Sequence, residues 1–481
     1  MFAPCRARAL LAYQVPPIRT AALRKGSRAQ WVARSFSHST RLTSNRGQSV
    51  DVFTVNQDRL MNDLHHTCQW GTGKRWGSLD TETGMSRLSL SDSDKKARDW
   101  FVETTMALGC SVTIDEMGNI FAIRPGRNVG PPTCVGSHLD TQPSGGRYDG
   151  ILGVLAGVEM LRILNERDAR THFPVGVVNW TNEEGARFPI SMVSSGVWAG
   201  EVPLETAHGL REVGGGTATM RSELERIGYL GSVPASHTSM PMAAHFELHI
   251  EQGPILENHK QKIGIVTGVQ AYRWYTVQLT GRDAHTGTTP FDARADAMLA
   301  ACRMIACSHD LAAKHSALAS TGILTLTPGS VNTIPGQVKF CLDIRAASDA
   351  TLETLEAELK AEFSRLASKD VTKGLDVSVT WRTDTISPAV DFHPSCIKTV
   401  RASALSVTGD NSLFREMVSG AGHDSVYTSR HCPTSMIFVP CRNGVSHNPE
   451  EFTKAEDCAT GADVLMQSVL RYDHLRGEKG V

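Results

Sequence analysis

Residues 133–185 read TCVGSHLDTQPSGGRYDGILGVLAGVEMLRILNERDARTHFPVGVVNWTNEEG, and this stretch decides the fold. Thr133 to Ser137 predicts a buried strand, Ile151 to Arg167 a helix, and Val175 to Thr181 the next strand. Short apolar strands alternating with amphipathic helices continue from about residue 50 to 265, the pattern of an α/β domain built on a mainly parallel sheet. Both strands of the quoted stretch run into polar residues, Gly136-Ser-His-Leu-Asp-Thr141 and Asn182-Glu-Glu-Gly185. Open α/β sheets bind ligands in the crevice beyond the carboxyl ends of their strands, so the chemistry is expected there.

Beyond residue 265 the pattern changes. A strand from Tyr272 to Thr280, a helix from Asp292 to about Lys314, strands Thr321 to Thr327 and Gln337 to Arg345, a helix from Ala350 to Leu366 and a strand from Leu375 to Trp381 give the order βαββαβ. That is the ferredoxin-like split-βαβ pattern, of a size suited to an inserted domain. Val338, Phe340, Leu342 and Ile344 share one face of their strand, which leaves Arg345 on the polar face with Lys339, Cys341 and Asp343. A strand from Met436 to Val439 and a helix from Ala455 to Leu470 are expected to return to the first domain and make it discontinuous. The expected division is thus 49–265 and 384–476 for the catalytic metal-binding domain, with 266–383 inserted.

At 481 residues the chain exceeds what one hydrophobic core usually supports, in keeping with two folded units. A formal net charge of -1 gives no electrostatic reason to expect nucleic acid or an anionic membrane, and no apolar run is long enough to span a bilayer; a small-molecule substrate fits better. Eleven cysteines without CxxC pairs or framework spacing read as free thiols in a reducing compartment. Residues 1–48 stand apart: Arg6, Arg8, Arg19, Arg24, Lys25, Arg28, Arg34, Arg41 and Arg46 precede the first acid, Asp51. That composition predicts a mitochondrial presequence and a matrix location, the alternatives being a basic tail or misassigned start and a cytoplasmic protein.

In a strand, residues i and i+2 share a face, so Asp140 is placed to orient the His138 imidazole. Asp149, in Gly145-Gly-Arg-Tyr-Asp-Gly150, precedes a helix, where a carboxylate can bridge two cations. Glu183 and Glu184 are adjacent acids at the mouth of a hydrophobic strand and repel each other unless cations neutralise them. A metal ligand beside a general base explains the pair, and a solvated acidic turn is the bland alternative. His249 and His447 sit in similar settings. Mixed histidine and carboxylate ligands suit zinc, with manganese or cobalt possible. Spacing and composition alone stop at a metal site of unspecified chemistry.

GSHLDTQPSGGRYDG, NEEGARF, HIEQGP, GRDAHTGTTP, VNTIPG and GVSHNPEE, taken in order between about residues 55 and 472, together resemble the dizinc aminoacylase and carboxypeptidase superfamily. Within it they are similar to the N-carbamoyl-amino-acid hydrolase branch, which includes β-ureidopropionase and N-carbamoyl-L-amino acid hydrolase. The resemblance implies metal-dependent hydrolysis of a linear amide, with N-carbamoyl-β-alanine or an N-carbamoyl-L-amino acid as substrate; allantoate, or an aminoacylase or dipeptidase reaction, is the alternative. It implies two divalent ions per subunit, with Asp149 bridging them, His138 and His249 at separate metals, Glu184 and His447 completing the sites, and Glu183 as general base. It also implies that Gln252 lies near the carbamoyl group and that Arg345 with Asn332 clamps the substrate carboxylate. The inserted domain becomes a dimerisation and lid domain, from which His285 reaches the active site of the other subunit of a homodimer and steadies the developing oxyanion. From the residues themselves, a salt bridge to Asp343 is the plain alternative for Arg345. Trp274 stands where the allantoate enzymes carry a further arginine, which favours a smaller N-carbamoyl substrate.

Overall fold

The stretch 133–185 forms the expected strand, helix and strand. In the computed structural model, residues 41–43, 49–51 and 53–479 are described, so the expected presequence lies outside the described residues except for 41–43. In chain order the first sheet receives β1 (Ser111–Ile114), β2 (Ile120–Arg124), β3 (Thr133–His138), β4 (Val175–Trp180), β5 (Ala244–Ile250) and β6 (Ile263–Val269). β3 lies parallel to β4, with Thr133 opposite Val175, and parallel to β5, with Thr133 opposite Ala244. Every residue of β3, β4 and β5 is buried, which is why these strands read as continuous runs and not as alternating ones. The helix Ile151–Glu166 packs on them. A Cβ at Gly157 of this helix would lie 2.7 to 2.9 Å from Val135 and Val177, so the glycine lets helix and sheet approach closely.

The chain then builds a second sheet from β7 (Ala271–Thr280), β9 (Leu318–Ser320), β10 (Leu324–Thr327), β12 (Gln337–Ala346) and β13 (Ser378–Ser387), with β8 (Ala284–His285) and β11 (Thr333–Ile334) forming a separate ribbon. β7 is antiparallel to both β12 and β13, and β9 and β10 share the far edge of β12. Helices Ala297–Lys314 and Asp349–Ala367 complete this unit, whose own core contains Val277, Leu279, Phe340, Leu342, Leu355 and Phe363. As expected, Val338, Phe340, Leu342 and Ile344 are buried while Arg345 faces away from that core. Three boundaries differ from the sequence reading. The first helix starts at Ala297 because the Asp296 side chain accepts the Leu299 amide as an N-cap, with Phe291–Ala293 a separate short turn. The strand expected from Thr321 to Thr327 is split between β9 and β10, and the last strand begins at Ser378 because the Leu375 amide is held by the Arg294 carbonyl.

β14 (Val390–Asp391), β15 (Phe414–Ser419) and β16 (Thr434–Val439) return the chain to the first sheet. Its order is β14-β6-β16-β5-β3-β4-β2-β1, with β15 on β6. The central four strands, β16, β5, β3 and β4, run parallel and present their carboxyl ends along one edge. The sequence reading did not anticipate β15 or the helix Pro394–Thr408, and the final helix continues beyond Leu470 to Lys479. Among the described residues no helix is long and apolar enough to cross a membrane.

Candidate metal centre and active site

All four central strands deliver chemistry at that edge. His138 ends β3, Glu183 and Glu184 follow β4, His249 is the penultimate residue of β5, and the chain after β16 leads to His447. Asp149, in the turn before the Ile151–Glu166 helix, stands at the centre of the group. Gly150 follows it at φ +67°, and a Cβ there would lie 2.3 Å from His138 Cε1, so the turn packs directly on the imidazole. Asn182 (φ +59°), Gln252 (φ +57°) and His447 (φ +53°) adopt left-handed backbone conformations around the same centre, strain of the kind that concentrates at functional sites.

The two oxygens of Asp149 face different partners. Oδ1 lies 3.0 Å from His249 Nε2 and 3.5 Å from His138 Nε2, whereas Oδ2 lies 3.4 Å from His447 Nε2, which is itself 3.3 Å from Glu184 Oε2. Among the described residues two potential ligand groups share Asp149, His138-Asp149-His249 and Asp149-Glu184-His447, and a third, Glu247-His249-His423, shares His249 with the first. The expectation put His138 and His249 at separate metals; here β3 and β5 are adjacent parallel strands and bring the two imidazoles to the same side of Asp149. Glu183 Oε2 is 3.6 Å from His138 Nε2.

Asp140 also acts differently from the expectation. The His138 Nδ1 donates to the Asp140 backbone carbonyl at 2.9 Å, while the Asp140 carboxylate is 3.9 Å away. That carboxylate instead accepts the backbone amides of Glu183 and Glu184, each at 3.3 Å, and so fixes the acidic turn. His249 Nδ1 likewise donates to the Ile250 carbonyl at 2.9 Å. Since a carbonyl only accepts, both rings present an unprotonated Nε2 to the centre when neutral, as metal ligands must.

The electrostatics agree with a cation site. The ion-pair partners of Asp149, Glu183 and Glu184 among the described residues are histidines. Burial, then the nearby Asp424, Glu184 and Asp149 carboxylates, push Glu183 well above the usual carboxylate range, against the pull of His138. Burial and Asp149 raise Glu184 to about 7. For Asp149, burial is outweighed by His249, His138 and His447, which hold it well below its ordinary value. A hydrogen bond to Asp149 and the Glu184 charge bring His447 up to about 9 against its partial burial. Acids crowded into a dry site with imidazoles as their counterions form a donor set that fits divalent cations.

Glu451, Glu247 and the pair His423-Asp424 also belong to the surroundings of this centre, and the sequence reading assigned none of them a role. Glu451 is buried and accepts the Tyr148 and Asp149 amides at 3.0 and 3.1 Å, while Ser446 Oγ lies 2.8 Å away, so it ties the Asp149 turn to the His447 loop. Its place in the GVSHNPEE motif was the available signal. Glu247, two residues before His249, accepts the hydroxyls of Ser137 and Ser425 at 2.8 and 2.6 Å. The His423 ring lies 4.5 Å from that of His249, and Asp424 accepts the Ser195 hydroxyl. Nothing local marks residues 423–424, because their significance lies in which strand end they face.

The residues expected to bind substrate are divided. Gln252 Nε2 donates to Asp149 Oδ2 at 2.8 Å and also lines a cavity of about 720 Å³ that contains Arg345. Arg345 there pairs with Asp343, Nη2 to Oδ2 being 2.9 Å, so the plain alternative for this residue is present in the structure. His285 and Asn332 are exposed on the β8–β11 ribbon, where the Thr286 amide donates to the Asn332 carbonyl at 3.0 Å. They are not among the residues that meet at the metal centre or line the cavity.

Residues 134–471 match the peptidase family M20/M25/M40. The chain is 39% identical to an N-carbamoyl-L-amino-acid amidohydrolase of Rhizobium meliloti over 419 residues, covering 86% of this chain and 96% of that one. It is 32% identical to a ureidoglycolate hydrolase of Arabidopsis thaliana, covering 79% and 80% respectively. Among solved structures, an amidase of the hydantoinase/carbamoylase family from Burkholderia multivorans superposes with a TM-score of 0.79 at 41% identity, over 87% of this chain and 98% of that one.

Proposed function

This chain belongs to the M20/M25/M40 peptidase family, and from that membership we propose that it hydrolyses N-carbamoyl amino acids to the free amino acid, ammonia and carbon dioxide. It is a hydrolase acting on a non-peptide carbon–nitrogen bond of a linear amide. The observation that carries the reading is the division of Asp149 between two ligand groups with Glu183 alongside, in a chain that matches named N-carbamoyl-L-amino-acid amidohydrolases along nearly their whole length.

His138, Asp149 and His249 would hold one divalent ion and Asp149, Glu184 and His447 a second, zinc being the expected metal with manganese or cobalt as alternatives. Such ions supply Lewis acidity, and zinc lowers the pKa of a water to about 7. Glu183 Oε2 takes the proton of the attacking water and passes it to the leaving nitrogen. Asp140 holds the backbone of that acid in place through the two amides it accepts. Arg345 binds the substrate carboxylate, since a guanidinium offers two parallel donors to a carboxylate. Gln252 lines the cavity and donates to Asp149, a position that supports its assignment to the carbamoyl group.

The test is ammonia release from N-carbamoyl-β-alanine, several N-carbamoyl-L-amino acids, ureidoglycolate, allantoate, an N-acetyl amino acid and a dipeptide. N-carbamoyl amino acids are expected to be turned over best, and an analogue with an amide in place of the carboxylate poorly. Preference for the acetyl compound or the dipeptide sinks the carbamoyl assignment, and equal turnover of the neutral analogue removes Arg345 as the clamp.

The finer architecture is part of the same proposal. We take residues 266–383 as an inserted ferredoxin-like dimerisation domain, a reading supported by its separate core and by the strand order β13-β7-β12-β9. Leu324 and Leu326 are exposed on β10, whose outer edge is a surface suited to pairing with a second copy. In such a homodimer His285 and Asn332 complete the partner's site. Mixing inactive Glu183→Gln subunits with inactive His285→Ala subunits is then expected to restore about a quarter of wild-type activity on random exchange, because half the dimers are mixed and each holds one intact site. Absence of recovery despite demonstrated exchange rules out shared sites.

A further inference from the structure

The cavity beside the metal centre has a lopsided charge distribution. Among the described residues lining it, Arg345 is the single lysine or arginine, whereas Asp343 and Glu251 both contribute carboxyl groups. The guanidinium is already engaged: Nε lies 3.1 and 3.2 Å from the two Asp343 oxygens, Nη2 lies 2.9 Å from one of them, and Nη1 donates to the Gly420 carbonyl at 3.2 Å. Tyr272 lies beneath it, with 5.3 Å between Cζ and the ring centre. Asp343 and Arg345 occupy the same face of β12, opposite Ser320 and Leu318 of β9. Any carboxylate gripped by this guanidinium therefore has the Asp343 carboxylate as its neighbour.

Much of the remaining wall is apolar. Ile255, Leu318 and Val418 line the cavity while 40%, 63% and 39% exposed, and Met417 and Phe438 join them. Phe438 also places this wall near the metal ligands, its ring lying 6.4 Å from that of His249. Among the described residues Arg345 is the one cation available to a ligand carboxylate, and two resident carboxyl groups with apolar walls give no partner to a second.

We propose that Asp343 is a specificity-determining residue that admits substrates with one carboxylate and an uncharged side chain and rejects those with a second carboxylate. This inference rests on the amidohydrolase reading above and names the substrate class within it. Discrimination arises by repulsion: a side-chain carboxylate on the substrate meets Asp343 at close range beside Arg345, and like charges at that distance repel.

The experiment compares N-carbamoyl-L-glutamate with N-carbamoyl-L-glutamine, which has nearly the same shape without the second charge, in wild type, Asp343→Asn and Asp343→Glu. Wild type is expected to favour the glutamine compound in kcat/KM. Asp343→Asn should narrow that preference by about 10-fold or more, mainly through KM, as expected for removing a repulsive charge. Asp343→Glu keeps the charge and should keep the preference. A wild type that treats both compounds alike, or an unchanged ratio in Asp343→Asn, overturns the proposal. Should wild type release ammonia from neither compound nor any other N-carbamoyl amino acid, the amidohydrolase reading fails on its own. Calorimetric binding of the same pair then decides the role of Asp343, equal affinities in wild type and Asp343→Asn overturning it.

Discussion

Replacing Glu183 with glutamine is expected to lower kcat by about 10²-fold or more, the scale for loss of a positioned general base, while metal content and KM stay near wild type. The substitution keeps the shape of the side chain and the interactions of its backbone. The Glu183 amide still reaches Asp140 at 3.3 Å, and its carbonyl still accepts the Met192 amide at 2.7 Å. What disappears is the ability to accept a proton at the oxygen 3.6 Å from His138 Nε2. Burial and the Asp424, Glu184 and Asp149 charges push this carboxyl upward against the pull of His138. Steady-state kinetics with metal analysis of the same preparation is the check. Near-normal turnover with full metal content would transfer the base role to another residue.

Asp149→Asn is expected to lose both ions at once and reduce activity to that of chelator-treated wild type. Because Oδ1 faces His138 and His249 while Oδ2 faces His447 and Glu184, one substitution removes a charge common to both groups. Even partners that only support metal ligands cost about 10- to 100-fold in metal affinity or activity when removed. Glu184→Gln touches only the second group and should retain part of its metal, with partial rescue on adding it back. The two variants are separated by metal stoichiometry across a titration with zinc and manganese. Full metal occupancy in Asp149→Asn would refute the bridging role.

These two positions show how far the sequence alone reached. A continuous apolar run ending in a histidine or paired acids announced β3 and β4 and the chemistry at their ends, because a strand buried on both faces leaves a local composition that no solvated segment shares. The amphipathic βαββαβ succession was visible for the same reason, since periodicity follows from which face is buried. Motif resemblance added the expected roles of Glu183, Asp149 and Arg345, which periodicity cannot supply.

Only the tertiary structure decided which of these side chains meet. Thr133 pairs with Ala244 and Thr434 with His245, and those long-range parallel registers, absent from any local window, place His138 and His249 on one oxygen of Asp149 and carry the chain back to His447 on the other. Local pattern likewise allowed Asp140 to contact the imidazole. The folded turn gives that contact to its backbone carbonyl and commits the carboxylate to the amides of Glu183 and Glu184. The same holds for Asp343, an acid on a polar strand face in the sequence and, once β9 is laid beside β12, a charge inside the cavity that contains Arg345. Composition and spacing record what each residue can do. Partners from distant parts of the chain, fixed by sheet register and packing, determine which of those capacities is used.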